Sequence, residues 1–180
     1  MGTRAGEIET RPADLERDAE LIRAVDRSFE TDVIYEVQSD GGGFRLVERA
    51  VHPPVVRTLP LKEPFEDHGW ESAWLALEGG RAVGVVATRY EAWNRRVVIW
   101  HLYVSGEYRR RGVGGRLLAT ALAAAREAGA RTAWLETSNL NVPAVRAYER
   151  LGFVLCGLDT TLYDGTPAEG EVALFFSRRL

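Results

Sequence analysis

An apolar run of eight residues, VVIWHLYV (Val97–Val104), gives way a few positions later to RRRGVGG (Arg109–Gly115). The chain then turns apolar at Val113, Leu117, Leu118, Ala121, Leu122 and Ala125, the three-and-four spacing of one helix face, and stops near Gly129. TAWLET (Thr132–Thr137) reads as another strand. A strand, a helix and a strand joined this closely leave little choice of topology. A right-handed crossover places the Thr132 strand parallel to the Val97 strand. The Val97 strand is apolar on both faces, which predicts a central position in its sheet.

The remaining segments fit around that unit. EIETR (Glu7–Arg11) reads as a short strand, broken by Pro12–Asp14. Leu15, Ala19, Ile22, Val25 and Phe29 predict a helix with one apolar face running to about Ser28. VIYEVQ (Val33–Gln38) and FRLVER (Phe44–Arg49) alternate apolar and polar residues about a glycine-rich loop, the pattern of a hairpin. HPPVVRTLPLKEP (His52–Pro64), with four prolines, predicts an extended connection. AWLALE (Ala73–Glu78), Gly79-Gly80 and RAVGVVATRYEAW (Arg81–Trp93) form a second hairpin, since paired glycines accept the positive φ of a tight turn. Asn94 turns the chain into the central strand. Pro143–Leu151 reads as a helix stopped at Gly152, and Phe153–Leu158 and Glu171–Ser177 close the chain as strands. The class is mixed α/β (α+β): antiparallel strands, a β-α-β unit, then a helix and a hairpin.

With 180 residues, 46% of them hydrophobic and 27% charged, the chain suffices for one domain over 1–180, with a hairpin and extended insertion at about 30–70. A net charge of −3 argues against nucleic acid or an anionic membrane as partner. The lone Cys156 excludes an internal disulfide framework, fits a reducing compartment, and is expected to be a small buried residue. No cationic-then-apolar leader or bilayer-length apolar run is present, and Gly6 stands where a myristoylation signal needs Ser or Thr. A cytoplasmic enzyme with no metal site is the expectation.

The glycine-rich turn carries the chemistry. A strand turning sharply into a helix leaves several N–H groups unpaired, glycines let backbone approach a ligand, and the helix dipole adds partial positive charge. These features predict an anion cradle at Arg109, Arg110, Arg111, Gly112, Val113, Gly114 and Gly115, with the arginines able to reach phosphate oxygens. The alternative is a solvated arginine turn ahead of an ordinary helix. A dinucleotide fingerprint is excluded because Leu117 occupies its third glycine, and a triphosphate P-loop because Gly-Lys-Ser/Thr is missing.

Arg-x-x-Gly-x-Gly from Arg109 to Gly114 is the spacing that GNAT acetyltransferases use for the pyrophosphate of acetyl-coenzyme A. HLYVSGEYRRRGVGGRLL resembles the first half of that family's signature, and NVPAVRAYERLGF (Asn141–Phe153) its second half. The element order also resembles GNAT over nearly the whole chain, least so across Phe29–Trp70. Within the family, SFETDVIYEV (Ser28–Val37), EAWNRR (Glu91–Arg96) and LCGLDTTLYDGT (Leu155–Thr166) resemble the streptothricin (nourseothricin) acetyltransferases, a branch that inactivates an antibiotic.

The resemblance implies a GNAT fold: a mixed, mostly antiparallel sheet with a splayed parallel strand pair and flanking helices. It implies acetyl-CoA as cosubstrate, with the pantetheine arm bonded by backbone around Leu102, Tyr103 and Val104, one N–H there polarising the thioester. Asn141, with Ala144 on the same motif, is implied at the pantetheine, although Asn141 also suits a helix N-cap. Tyr148 is implied as the group serving the leaving sulfur. The nucleophile is an amine that arrives protonated. Glu136 is a candidate base, direct or through water, or a charge partner of the substrate ammonium, or a strand-end carboxylate in a structural hydrogen bond. His101 is a second candidate base or a packed neutral histidine. A cationic streptothricin implies carboxylates and aromatics, with Asp32 and Asp159 foremost, and Glu30, Tyr35, Glu36, Trp93 and Asp164 beside them.

The chain departs from the family where Gly106 replaces a frequent proline, and where Trp100, His101 and Tyr103 stand in place of carboxylates. Other acceptors stay open: a protein N-terminus, a polyamine, an aminoglycoside. So does a non-catalytic acyl-CoA sensor. The partner expected is a small cationic amine, with a homodimer possible.

Overall fold

The structure is a computed structural model that describes residues 7–59 and 69–180. Pro60–Pro64, the end of the proline-rich connection, lies outside the described residues, as do Gly2 and Gly6. The elements in chain order are β1 (Ile8–Pro12), α1 (Ala19–Ala24), β2 (Ser28–Ser39), β3 (Phe44–Thr58), β4 (Ser72–Glu78), β5 (Arg81–Glu91), β6 (Arg96–Val104), α2 (Val113–Glu127), β7 (Thr132–Ser138), α3 (Val142–Arg150), β8 (Val154–Asp159) and β9 (Ala173–Arg179). They fall into two compact units, the first from Met1–Ser28, Leu59–Ala133 and Arg179–Leu180, the second from Phe29–Thr58 and Trp134–Arg178.

In the first unit β1, β4, β5 and β6 form an antiparallel run in that order. The β4–β5 hairpin turns on Gly79 and Gly80, whose φ values of 57° and 83° only glycine adopts freely. The strand buried on both faces is β5, continuously so from Ala82 to Thr88, rather than β6. In β6, Val97 and Ile99 are buried, but Trp100 is exposed and His101–Val104 are half-buried. Helix α2 buries the six residues its periodicity predicts, Val113, Leu117, Leu118, Ala121, Leu122 and Ala125. It lies close on β5 because Gly84 has no side chain: a Cβ there would stand 2.9 Å from Leu117 Cδ1 and 3.0 Å from the Tyr103 carbonyl. The opposite face of the strands packs Leu75, Leu77 and Val85 against Ile22 and Val25.

Helix α1 spans six residues and does not reach Ser28 as its spacing predicts. Val25 is already extended (φ −67°, ψ 124°), and Asp26 Oδ1 accepts hydrogen bonds from the Ser28 amide at 2.8 Å and hydroxyl at 2.7 Å. That side-chain turn competes with the next helical turn and wins. At the other end Arg11 clamps the buried Asp18 through two bonds of 2.6 and 2.8 Å, holding its carboxyl down at a pKa of about 2. In the turn between β5 and β6 the left-handed residue is Arg95 (φ 54°), next to the expected Asn94.

The second unit holds the β2–β3 ribbon and the strands β7, β9 and β8 in that order. Strand β3 continues through His52-Pro53-Pro54 to Thr58, so part of the predicted connection is strand; a two-stranded ribbon leaves β3 an outer edge where missing N–H donors cost nothing. Strand β7 buries Leu135 and Thr137 and leaves Trp134, Glu136 and Ser138 half-buried on its other face. Phe153, Phe176, Leu135, Leu174 and Val145 fill the core.

Candidate active site

Two local departures from regular backbone shape the candidate residues of the first unit. Ala87 pairs with His101 while Thr88 pairs with Ile99, so Trp100 is an extra residue bulged out of β6. The indole has room because residue 69 is glycine; a Cβ there would sit 2.3 Å from Trp100 Cζ2. Beyond the bulge, Leu102, Tyr103 and Val104 pair with Val86, Val85 and Gly84. His101 Nδ1 lies 3.2 Å from the Tyr103 hydroxyl, and the two rings stack at 5.4 Å. Burial, aided by the Arg27 charge, pushes His101 down to a pKa of about 4, so it is neutral at physiological pH.

The second departure follows a 3₁₀ turn at Gly106–Tyr108. Arg110 and Gly112 are both left-handed, with φ of 61° and 80°, and α2 begins at Val113. The first helical amide to find a partner is that of Arg116, bonded to the Gly112 carbonyl at 3.0 Å. Among the described residues, the amides of Arg110 through Gly115 donate no hydrogen bond. Left-handed residues ahead of a helix N-terminus curl such amides into a concave anion nest.

The three arginines differ. Arg109 is turned into its own unit: Nε donates to the Val104 carbonyl at 2.8 Å, a terminal nitrogen donates to the Ser28 carbonyl, and Asp26 lies 3.6 Å away. Arg111 lies over the Tyr108 ring at 5.2 Å, with Arg81 also stacked on that ring at 5.5 Å. Tyr108 is buried and donates to Glu78, which fixes the platform under Arg111. Arg110 is exposed and its guanidinium has no partner among the described residues. The donor set suits a diphosphate: six amides, one unpaired guanidinium, and open space where a side chain at Gly112 would stand.

In the second unit, Glu136 is half-buried on β7 and accepts a short hydrogen bond from the Tyr163 hydroxyl. Burial pushes the Glu136 carboxyl above its usual range; the Tyr163 bond opposes that, and the Glu171 charge adds to it. Glu171 in turn accepts from the Ser138 hydroxyl and pairs with Arg57 at 3.7 Å. Asn141 caps α3, its Oδ1 accepting from the Ala144 amide at 3.3 Å, so the capping role is realised and that amide is satisfied. Tyr148 lies on α3 with its ring 6.1 Å from Phe153 and 6.3 Å from Phe176.

The substrate candidates are scattered in character. Glu30 and Asp32 on β2 are exposed, without side-chain partners among the described residues. Tyr35 donates to Glu48 at 3.2 Å, and Glu36 pairs with Arg49 at 3.4 Å. Asp159 accepts from both the amide and hydroxyl of Thr161 at 2.8 Å, which holds its carboxyl below the usual range. Asp164 is exposed in the following turn. Trp93, 84% exposed, belongs to the first unit. Cys156 is not the buried residue expected; it is the extra residue of a bulge in β8, exposed, with its thiol 3.4 Å from the Phe175 carbonyl.

Four residues escaped the sequence reading. Tyr163 sits in LCGLDTTLYDGT, where no local pattern ties it to Glu136. Glu171 reads as the start of a strand. Tyr108 reads as an ordinary loop tyrosine. Asn139 is buried and joins three segments: its Nδ2 donates to the Tyr35 carbonyl at 2.7 Å, its Oδ1 accepts from the Val172 amide at 2.8 Å, and its carbonyl accepts from the Tyr35 amide at 3.0 Å. Nothing in its sequence neighbourhood signals that role.

Comparison with known proteins finds relatives along nearly the whole chain. A streptothricin acetyltransferase from Streptomyces lavendulae is 40% identical over 168 residues, 89% of each chain. The crystal structure of a nourseothricin acetyltransferase superposes with a TM-score of 0.86 at 42% identity, covering 96% of this chain and 98% of that one. A Bacillus anthracis protein solved in complex with acetyl coenzyme A shares the fold, with a TM-score of 0.80 at 24% identity over 97% of this chain and 100% of its own. The fold is a mixed sheet, mostly antiparallel with one parallel pair, and few helices. Residues 41–153, which contain the strand, the nest and the Asn141–Phe153 segment, match the acetyltransferase (GNAT) family. With a family match over that span and 40% identity to a full-length relative, the chain belongs to the GNAT family and is an acetyltransferase.

Proposed function

We propose that this enzyme moves an acetyl group from acetyl-CoA to the primary amine of a small cationic molecule, namely the β-lysine amine of a streptothricin-class antibiotic, and so inactivates it. The observation that carries this reading is the likeness, along 96% of the chain and at 42% identity, to a nourseothricin acetyltransferase. Likeness confined to the nest would support only the coenzyme.

In this reading the amides of Arg110–Gly115 and the Arg110 guanidinium hold the diphosphate, and Arg111 adds charge from its seat on Tyr108. Acetyl-CoA, when bound, supplies the activated acyl group as a thioester. A backbone N–H among Leu102–Val104 is aimed at the acyl oxygen, where a preorganised donor stabilises developing negative charge. Glu136 Oε takes the proton that the substrate ammonium must lose. Its raised proton affinity favours this, because a base with a pKa nearer the working pH passes protons more readily. His101, neutral with a pKa of about 4, is too weakly basic to compete and serves as a packed wall residue. Tyr148 Oη gives a proton or hydrogen bond to the departing sulfur. Asp32 and Glu30, with unpaired carboxylates among the described residues, attract the cationic body of the substrate, with Tyr35, Asp159, Asp164 and Trp93 as further contacts.

Mass spectrometry of nourseothricin incubated with the enzyme and acetyl-CoA tests the reading. One added acetyl group on the β-lysine side chain is the expected product. An unchanged antibiotic, with thiol released when other amines are offered, overturns the assignment of substrate.

A further inference from the structure

Glu136 does not stand alone on β7. The Tyr163 hydroxyl, from the segment between β8 and β9, donates to its Oε1. Two residues along the same face of the strand, the Ser138 hydroxyl donates to Glu171 Oε2, and the other oxygen of Glu171 lies 3.7 Å from Arg57 Nε on β3. The Glu171 side chain is only 13% exposed, so its charge is poorly screened from Glu136. Tyr163 and Glu171 are the titratable groups that act on Glu136. They oppose each other: the phenol stabilises the charged carboxylate by donating to it, while the second carboxylate disfavours it. No other donor to Glu136 is found among the described residues.

We propose that Tyr163 and Glu171 are positioning residues for the acetyl transfer, Tyr163 fixing which way the Glu136 carboxylate points and Glu171, held by Ser138 and Arg57, tuning how readily that carboxylate accepts a proton. This rests on the reading of Glu136 as the base. The geometry gives each residue one task. Tyr163 engages Oε1, which leaves Oε2 as the oxygen available to the ammonium. Glu171 is kept from swinging onto the substrate by its two anchors. The segment that carries Tyr163 thereby couples a loop between strands to the chemistry on β7.

The test compares kcat/KM against pH for wild type and for Tyr163→Phe, Glu171→Gln and Glu136→Gln, with nourseothricin as acceptor. Glu136→Gln is expected to lower kcat by roughly 100-fold or more and to remove the acidic limb. Tyr163→Phe is expected to lower kcat about tenfold, as for one hydrogen bond to a charged group, and to move the limb to higher pH. Glu171→Gln is expected to move the limb to lower pH. A variant that only loosened the fold would not move one limb in two directions. If Glu136→Gln removes the limb but the other two variants leave it in place, the positioning roles are wrong and the base survives. If Glu136→Gln keeps both rate and limb, the base reading fails and takes this inference with it. Titration of the Glu136 carboxyl carbon by ¹³C NMR in wild type and Tyr163→Phe gives the same answer without turnover: an unmoved titration refutes the role of Tyr163 even where Glu171→Gln does not fold.

Discussion

At the scale of single residues, His101 and Glu136 show how burial sorts two candidate bases. The same desolvation pushes them in opposite directions, because it disfavours the charged form of each. The imidazole is driven to about 4 and the carboxyl is raised, which removes the usual advantage of histidine. A stability consequence follows for His101. Its folded pKa lies below the unfolded value near 6.5, so between those two pH values the unfolded chain binds more protons. The contribution is therefore intact above about pH 6.5 and is lost as pH falls toward 4, at no more than about 1.4 kcal/mol per pH unit. His101→Asn, which keeps a partner for the Tyr103 hydroxyl, is expected to flatten the loss of stability between pH 6.5 and 4.5. Urea unfolding of both proteins at a series of pH values measures it. If the two curves stay parallel, His101 does not titrate as its surroundings require.

At the scale of elements, the start of α2 separates two uses of glycine. Gly84 is small because a helix presses on it; Gly112 is needed for its φ of 80°, with open space around it. Gly112→Ala is thus expected to cost about 1 kcal/mol through left-handed strain, and Gly112→Asn less, since Asn tolerates that region better. Arg110 offers the sharper test, because it too is left-handed but is not glycine. Arg110→Gly relieves strain while deleting the unpaired guanidinium. It is expected to leave the midpoint of thermal unfolding unchanged or higher while raising KM for acetyl-CoA severalfold, with KM for the antibiotic unaffected. A lower midpoint with unchanged KM would mean that Arg110 serves the fold and not the diphosphate. Sequence periodicity found α2 to the residue on its buried face, because that face answers to one helical repeat and one neighbouring sheet. It overran α1, because the Asp26–Ser28 turn is decided by a side chain competing with backbone, which periodicity does not register.

At the scale of the whole molecule, what was legible and what was not divide by sequence separation. Hairpins at Gly79-Gly80, the helix stops at Gly129 and Gly152, and the nest at Gly112 are local, and each glycine named has positive φ. Partnerships such as Glu136 with Tyr163, Ser138 with Glu171, and Asn139 with Tyr35 join residues 27, 33 and 104 positions apart, and no short pattern encodes them. The coenzyme reading makes a prediction for the entire chain. A ligand that binds only the folded protein stabilises it by about 2.7 kcal/mol at 100 times its Kd, which for a chain of this length raises the unfolding midpoint by several degrees. Acetyl-CoA is expected to give such a rise in differential scanning fluorimetry, and Arg110→Gly to need more of it for the same rise; no shift at saturating concentration would remove the nest from the coenzyme. The bulge at Trp100 has a consequence of its own. One surplus residue reverses the odd–even count of β6, so His101 and Tyr103 look toward the side that even positions would otherwise own. Excising that tryptophan alone would leave an unbroken ladder in which His101 to Val104 keep their partners Ala87 to Gly84 and their facing, so what the surplus residue contributes is the indole lodged beside Gly69 and nothing of the order beyond it.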